Sequence, residues 1–371
     1  MRLQDLETPR LVLDAGRMEA NVARLKAHLA TLGVGLRPHV KTCKSIDVAR
    51  LLMETPAGPI TVSTLKEAEQ FLAHGVTDIL YAVGIAPGKL DHVLALRERG
   101  AGLSVVVDNV EAAAAVAARK AGIPTLIEID CDGHRAGVKP GDPVLLDIAK
   151  ALARGAEPRG VMTHAGDSYN CRSSEAIAAM AEKERGAVVK SAAVLRSAGF
   201  ASPVVSVGST PTATFARSLE GVTEVRAGVF VFHDLVMAGL GVCHVDDIAV
   251  SVLATVIGHQ REKGWIITDA GWMALSRDRG TAKQSVDQGY GLVCDEDGQA
   301  IGDLIVSDAN QEHGIVSRRG GAPLDLARYP VGTRLRVLPN HACATAAQHD
   351  AYHVVRNGPG IVARWPRFGG W

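Results

Sequence analysis

Between residues 35 and 232 short β-branched runs alternate with longer stretches whose apolar positions recur at helical spacing. This is the pattern of βαβ units around a parallel sheet. Eight strands are predicted: Gly35 to Lys41, Pro59 to Ser63, Asp78 to Val83, Leu103 to Asp108, Thr125 to Asp130, Gly160 to Gly166, Val204 to Ser209 and Thr223 to Val229. Amphipathic stretches such as Thr64 to His74, Val110 to Ala121 and Ser174 to Ser197 lie between them, each beginning near a capping-type residue or a loop. Eight such units in about 200 residues fit a (β/α)8 TIM-type barrel better than an open sheet.

After about residue 245 the helical stretches disappear, while Val250 to Ile257, Trp265 to Asp269, Leu304 to Val306, Thr333 to Leu338 and Tyr352 to Val355 remain strand-like. An all-β domain is therefore expected to follow the α/β barrel. Asp295-Glu296-Asp297-Gly298 reads as a hairpin turn within it. Arg10 to Asp14 is a strand without a barrel slot and is assigned to the second domain. The expected division is residues 15–244 for the barrel and residues 1–14 plus 245–371 for the β-domain.

Composition narrows the function classes. With 40 Lys plus Arg against 40 Asp plus Glu and 47% apolar residues, the 371-residue chain is neither disordered nor collagenous. It has no excess positive field for nucleic acid. No apolar run reaches the ~20 residues of a membrane helix. The N-terminus lacks the apolar core of a signal peptide, so a cytoplasmic location is expected. Its six cysteines are expected to be thiols, and no CxxC pair suggests a zinc finger.

The inward faces of the barrel strands carry the first chemical signal. Arg37, His39 and Lys41 share one face of the first strand, Glu128 and Asp130 face inward on the fifth, and Glu224 and Arg226 share a face with Gly228 on the eighth. Barrel interiors are normally filled by branched apolar residues, so such a centre is either a salt-bridge web or a site. Lys41 stands apart because it comes last on its strand, at the C-terminal end where active sites of this fold assemble, and a lysine among cations can act as an amine nucleophile toward a carbonyl. Gly208-Ser209-Thr210 and Ala227-Gly228-Val229, after the seventh and eighth strands, suit a phosphate, although these are also ordinary turn residues. Taken with the lysine they suggest pyridoxal phosphate. The loops after strands five and six offer Arg135, His164 and Tyr169. In the second domain His341 and Cys343 have the chemistry of zinc ligands, and an extended spacing would put them on one side; two ligands would leave open positions for substrate. His349 and His353 are not assigned to the metal.

These segments resemble a known family, and nearly the whole chain takes part. Thr8-Pro9, Arg37 to Thr42, Gly133 to Val138, Thr163 to Gly166, Asn310 to Gly314 and Pro339 to Cys343 are similar to the D-threonine aldolase and D-serine dehydratase family, alanine-racemase-like fold-type III pyridoxal phosphate enzymes. Within it, Thr61 to Val83, Val204 to Thr212 and Val250 to Trp272 look like the branch that dehydrates D-threo-3-hydroxyaspartate. The resemblance implies an imine at Lys41, a divalent metal on His341 and Cys343, and Arg135, His164, Tyr169, Thr210, Gly228 and Val229 around the cofactor; the loop reading adds Ser209 to the phosphate site. In the aldolase branch an aspartate stands where this chain has Cys343, which favours elimination over retro-aldol cleavage.

The expected function is a lyase that dehydrates a small D-3-hydroxy amino acid to an oxo acid and ammonia, with Lys41 and His164 as catalytic residues. Its rivals are D-serine dehydration, retro-aldol cleavage to glycine and an aldehyde, and a non-catalytic pyridoxal phosphate carrier. Neither nucleic acid nor membrane is expected as a partner; a homodimer is left open. Arg37, Lys44, Arg135 and Arg226 are the cations available to a second substrate carboxylate.

Overall fold

The computed structural model describes residues 1–371. The chain forms two units, Arg24–Gly228 with Gly370–Trp371, and Met1–Ala23 with Val229–Gly369.

In the first unit eight parallel strands run in the ring order Gly35–Leu36, Glu224–Val225, Val204–Val207, Glu157–Thr163, Pro124–Ile129, Gly102–Val107, Asp78–Gly84 and Ile60–Val62. A parallel bridge from His39 to Thr61 closes the ring. The expected first strand is shorter than its pattern suggests: regular pairing stops at Leu36 and resumes at His39. Pro38 lies in the gap and has no N–H for a ladder. Lys41 consequently sits in the turn just beyond the bridge.

Local chemistry sets the helices between these strands. Thr64, Asn109 and Ser173 each cap a helix by accepting from a backbone N–H of its first turn, at Glu67, Ala112 and Ala176. Each cap contributes about 1 kcal/mol. On the Pro124–Ile129 strand, Ile127 and Ile129 are each 1% exposed, whereas Leu126 packs with Leu80, Val106 and Met162. The period of two places Glu128 on the same face as Leu126, as the alternation predicts.

The second unit contains a closed antiparallel barrel. Its strands follow the order Trp265–Thr268, Gly314–Arg318, Ala300–Ala309, Leu292–Cys294, Arg334–Leu338 and Val250–Gln260, and the last pairs back to the first. Arg10–Asp14, Ala351–Val355 and Ile361–Pro366 continue the sheet from Val250–Gln260. The Asp295-to-Gly298 turn forms as expected, with Gly298 at φ 81° and its N–H donating to the Asp295 carbonyl at 3.0 Å. Leu292–Cys294, Gly314–Arg318 and Ile361–Pro366 were not anticipated. The six cysteines are free thiols, and no helix is long and apolar enough to cross a membrane.

Candidate functional site

The inward charges of the eight-stranded barrel divide by height. Near the N-terminal mouth Arg37 donates from Nε to Glu224 and from Nη1 to Asp78, both at 2.7 Å. Ser206 Oγ donates to Glu224 at 2.7 Å and accepts from Arg226 Nε at 2.8 Å. A second guanidinium nitrogen of Arg226 donates to the Thr163 carbonyl. Arg37, Glu224 and Arg226 thus form a structural ion network, in which buried charge is compensated by partners.

The C-terminal end is different. Lys41 is exposed and makes no hydrogen bond or salt bridge, so its amine is accessible to a carbonyl compound. Two residues earlier, at the bridge to Thr61, His39 Nδ1 is shielded from solvent and has no hydrogen-bond partner. Burial, Lys41, Arg226 and His164 hold His39 well below the usual imidazole range.

His164 follows the Glu157–Thr163 strand. Its Nδ1 lies 2.6 Å from the Gly208 carbonyl, so Nδ1 carries the proton and Nε2 remains an acceptor. Burial, only partly opposed by that bond and reinforced by Arg135, Lys41 and Arg226, pushes its pKa down to about 3. His164 is therefore neutral at physiological pH and does not arrive as a general acid, a role the sequence alone left available. Tyr169 lies beside it, with ring centroids 6.4 Å apart.

The cations considered for a second carboxylate are separated by their partners. Arg37 and Arg226 belong to the network, and Lys44 pairs with buried Glu67 at 3.0 Å. Arg135 has a 54% exposed side chain and a loose 3.8 Å approach to Glu128. It is the one of the four free to meet an anionic group of cofactor or substrate.

The loops assigned to the phosphate are adjacent, because Val207 and Val225 pair in register. The N–H groups of Ser209, Gly228 and Val229 meet no acceptor within the chain. Buried or loop-end donors of this kind suit an anion. The glycines themselves answer to packing. A Cβ on Gly208 would collide with the Arg226 carbonyl, and one on Gly228 would stand 2.9 Å from the His39 carbonyl and 3.0 Å from Thr42 Oγ1. The Ser209 hydroxyl is also occupied: it accepts from Thr212 N at 3.3 Å as a helix cap and meets Ser168 Oγ at 3.0 Å. What these residues offer a phosphate is backbone N–H, together with the neighbouring Thr210.

In the second unit His341 is the N-cap of the helix Ala342–Ala346, and Cys343 lies in its first turn. The expected extended spacing is absent; the helix start brings the two side chains into hydrogen-bonding contact instead. His341 Nδ1 is 2.6 Å from Asp278 Oδ2, which leaves Nε2 for the cysteine. Against the opposing effect of burial, the Cys343 thiol, Asp278 and Asp234 raise His341 to about 11. An imidazole beside a cysteine, with Asp278 on its other nitrogen, is a donor set suited to a divalent cation. No third His, Cys, Asp or Glu completes a ligand cluster. His349 and His353 bond instead to the carbonyls of Ala274 and Leu11.

Residues 13–235 match the model of the alanine racemase N-terminal domain, and residues 249–355 match a serine dehydratase domain. The chain belongs to the alanine-racemase-like, fold-type III pyridoxal phosphate family. D-threo-3-hydroxyaspartate dehydratase of Delftia sp. strain HT23 is 55% identical, covering 100% of this chain and 99% of its own. The solved structure of that enzyme gives a TM-score of 0.97 at 54% identity, with 100% of both chains covered. A cysteine-to-alanine mutant of that enzyme, in the metal-free form, superposes at 0.98 with 54% identity over 100% of each chain. D-serine dehydratase of Dictyostelium discoideum is 30% identical over 97% of this chain and 96% of its own. Pyridoxal phosphate is thus the cofactor of this fold-type III chain, and the chain is a lyase.

The sequence did not point to Asp278, Asp234 or Glu184. Asp278 contacts its histidine from 63 residues away, with no local motif. Glu184 carried a signal, since it interrupts the apolar helical stripe of Ile177, Ala181 and Val188.

Proposed function

We propose that this protein is a cytoplasmic, pyridoxal phosphate- and divalent-metal-dependent dehydratase of D-3-hydroxy amino acids, with D-threo-3-hydroxyaspartate as substrate. The observation that carries the reading is Cys343 in contact with His341, where the aldolase branch of the family has an aspartate. The full-length likeness to the Delftia dehydratase supports it.

Pyridoxal phosphate, when bound, supplies an electron sink that acidifies the substrate Cα–H. Lys41 Nζ is the amine that would hold the cofactor's aldehyde and, when free, would take the Cα proton. The N–H groups of Ser209, Gly228 and Val229, with Thr210, hold the phosphate. Arg135 and Tyr169 border the cofactor, and His164, neutral and fixed on Gly208, presents Nε2 as an acceptor. His341 and Cys343 would hold a zinc or manganese ion, which would supply Lewis acidity to a departing hydroxyl. The proton that Lys41 takes from Cα and the β-hydroxyl together make up the water lost, and hydrolysis of the unsaturated amine consumes one water to give a 2-oxo acid and ammonia.

The test is release of keto acid and glycine from D-serine, D-threonine and both D-3-hydroxyaspartate diastereomers. Keto acid without glycine, fastest from the threo isomer, is expected. Glycine as the main product would replace elimination by retro-aldol cleavage.

A further inference from the structure

The helix Ser174–Ser197 carries one carboxylate into the barrel wall. Glu184 is 1% exposed, in a stripe otherwise made of Ile177, Ala181, Val188 and Leu195. A carboxylate at such a position costs several kcal/mol unless its oxygens are satisfied. Here Oε1 accepts from Ala165 N and from Gly208 N, each at 3.0 Å.

These donors come from two loops. Ala165 follows His164, and Gly208 precedes Ser209 and also supplies the carbonyl that accepts from His164 Nδ1–H. One carboxylate therefore ties the loop after the sixth strand to the loop after the seventh, and fixes both the His164 ring and the residues assigned to the phosphate.

We propose that Glu184 is a positioning residue for the cofactor site, acting through hydrogen bonds to the loops that carry His164 and Ser209–Thr210. This rests on the cofactor assignment above. Removing the side chain leaves two buried N–H groups, those of Ala165 and Gly208, without their acceptor. The loops would have to shift to find other partners.

The experiment compares wild-type holoenzyme with Glu184→Gln, Glu184→Ala and Glu184→Asp. Pyridoxal phosphate dissociation constants and visible absorption bands are measured alongside melting of the cofactor-free proteins. Glutamine keeps the acceptor oxygen and should stay within about threefold of wild-type affinity with an unchanged band. Alanine should weaken cofactor binding at least about tenfold and shift the band. Aspartate keeps the charge but cannot reach, and should behave like alanine. If Glu184→Ala does not fold, Glu184→Asp decides by the same criteria.

Folded alanine or aspartate variants with wild-type affinity and band, even with lowered melting temperatures, would reduce Glu184 to a packing role and overturn the proposal. A glutamine variant as defective as alanine would overturn it too, because charge rather than hydrogen bonding would then be responsible. Wild-type protein that takes up no pyridoxal phosphate would refute the cofactor assignment and this inference together, an outcome distinct from the other two.

Discussion

Asp278 Oδ2 stands 2.6 Å from His341 Nδ1 and so decides which nitrogen of the ring is left for a metal. A ligating histidine held this way keeps one tautomer, and losing such a partner typically costs 10- to 100-fold in metal affinity. Asp278→Asn removes the charge and weakens the hold on the Nδ1 proton. Zinc or manganese titration should show a fall of about that size, with the cofactor absorbance intact. Unchanged affinity would leave Asp278 as a packing partner.

Lys41→Ala should abolish covalent attachment of pyridoxal phosphate. Borohydride treatment of the wild type should fix the cofactor to the tryptic peptide that contains Lys41, and the variant should show neither the fixed label nor turnover. Retention of both absorbance and turnover would place the attachment on another lysine.

Much of this was legible because side-chain alternation in a strand is strict. Ile127 and Ile129 on one face demanded that Glu128 take the other, and Lys41 at its strand end could be singled out by position. Contacts that depend on where the chain bends were not legible. His341 and Cys343 have the right chemistry, yet they meet through a helix start and not an extended segment. Ser209 looked like a phosphate-binding hydroxyl, but a helix that begins there uses it as a cap. Gly208 and Gly228 stand in the loops read as suiting a phosphate, and the structure adds a packing reason for each: the spaces beside them hold the carbonyls of Arg226 and His39. Leu292–Cys294 escaped notice because a three-residue strand shows too little alternation to register.

Gly228→Val is therefore a test of packing. The new Cβ would press on the His39 carbonyl and Thr42 Oγ1, and the nearer of these is backbone that cannot swing aside. Lower thermal stability of the cofactor-free protein is expected along with weaker binding. Thr210→Val is the cleaner probe of the phosphate: its cofactor dissociation constant should rise while the melting temperature of the cofactor-free protein changes little. Equal affinity in that variant would remove Thr210 from the site.

His164 makes a prediction about pH. Its pKa of about 3 in the folded chain lies below the 6.5 of a free imidazole. Below pH 6.5 the unfolded chain takes up a proton that the folded chain refuses, so stability is lost as pH falls through that window toward 3. For this one group the loss between pH 7 and pH 5 is at most about 2 kcal/mol. Urea unfolding of cofactor-free wild type and His164→Gln at both pH values should show the variant losing less. Parallel losses would mean that the ring is protonated in the fold after all.

Metal removal separates the two halves of the chemistry. A chelator should stop keto acid release and leave the cofactor absorbance unchanged, because Lys41 alone holds the cofactor carbonyl; added zinc or manganese should restore turnover. The ligands argue for this division: a thiol and an imidazole suit a borderline-soft ion, and two protein ligands leave positions for a substrate hydroxyl. Cys343→Asp imitates the aldolase branch at that ligand. It should lower dehydratase activity with at best a trace of glycine, since retro-aldol cleavage also requires a base placed at the hydroxyl proton. Full dehydratase activity in metal-free protein would discard the Lewis-acid role. Elimination would then need a proton donor, and His164, held neutral by burial and by its bond to Gly208, could serve only after first acquiring a proton during the reaction.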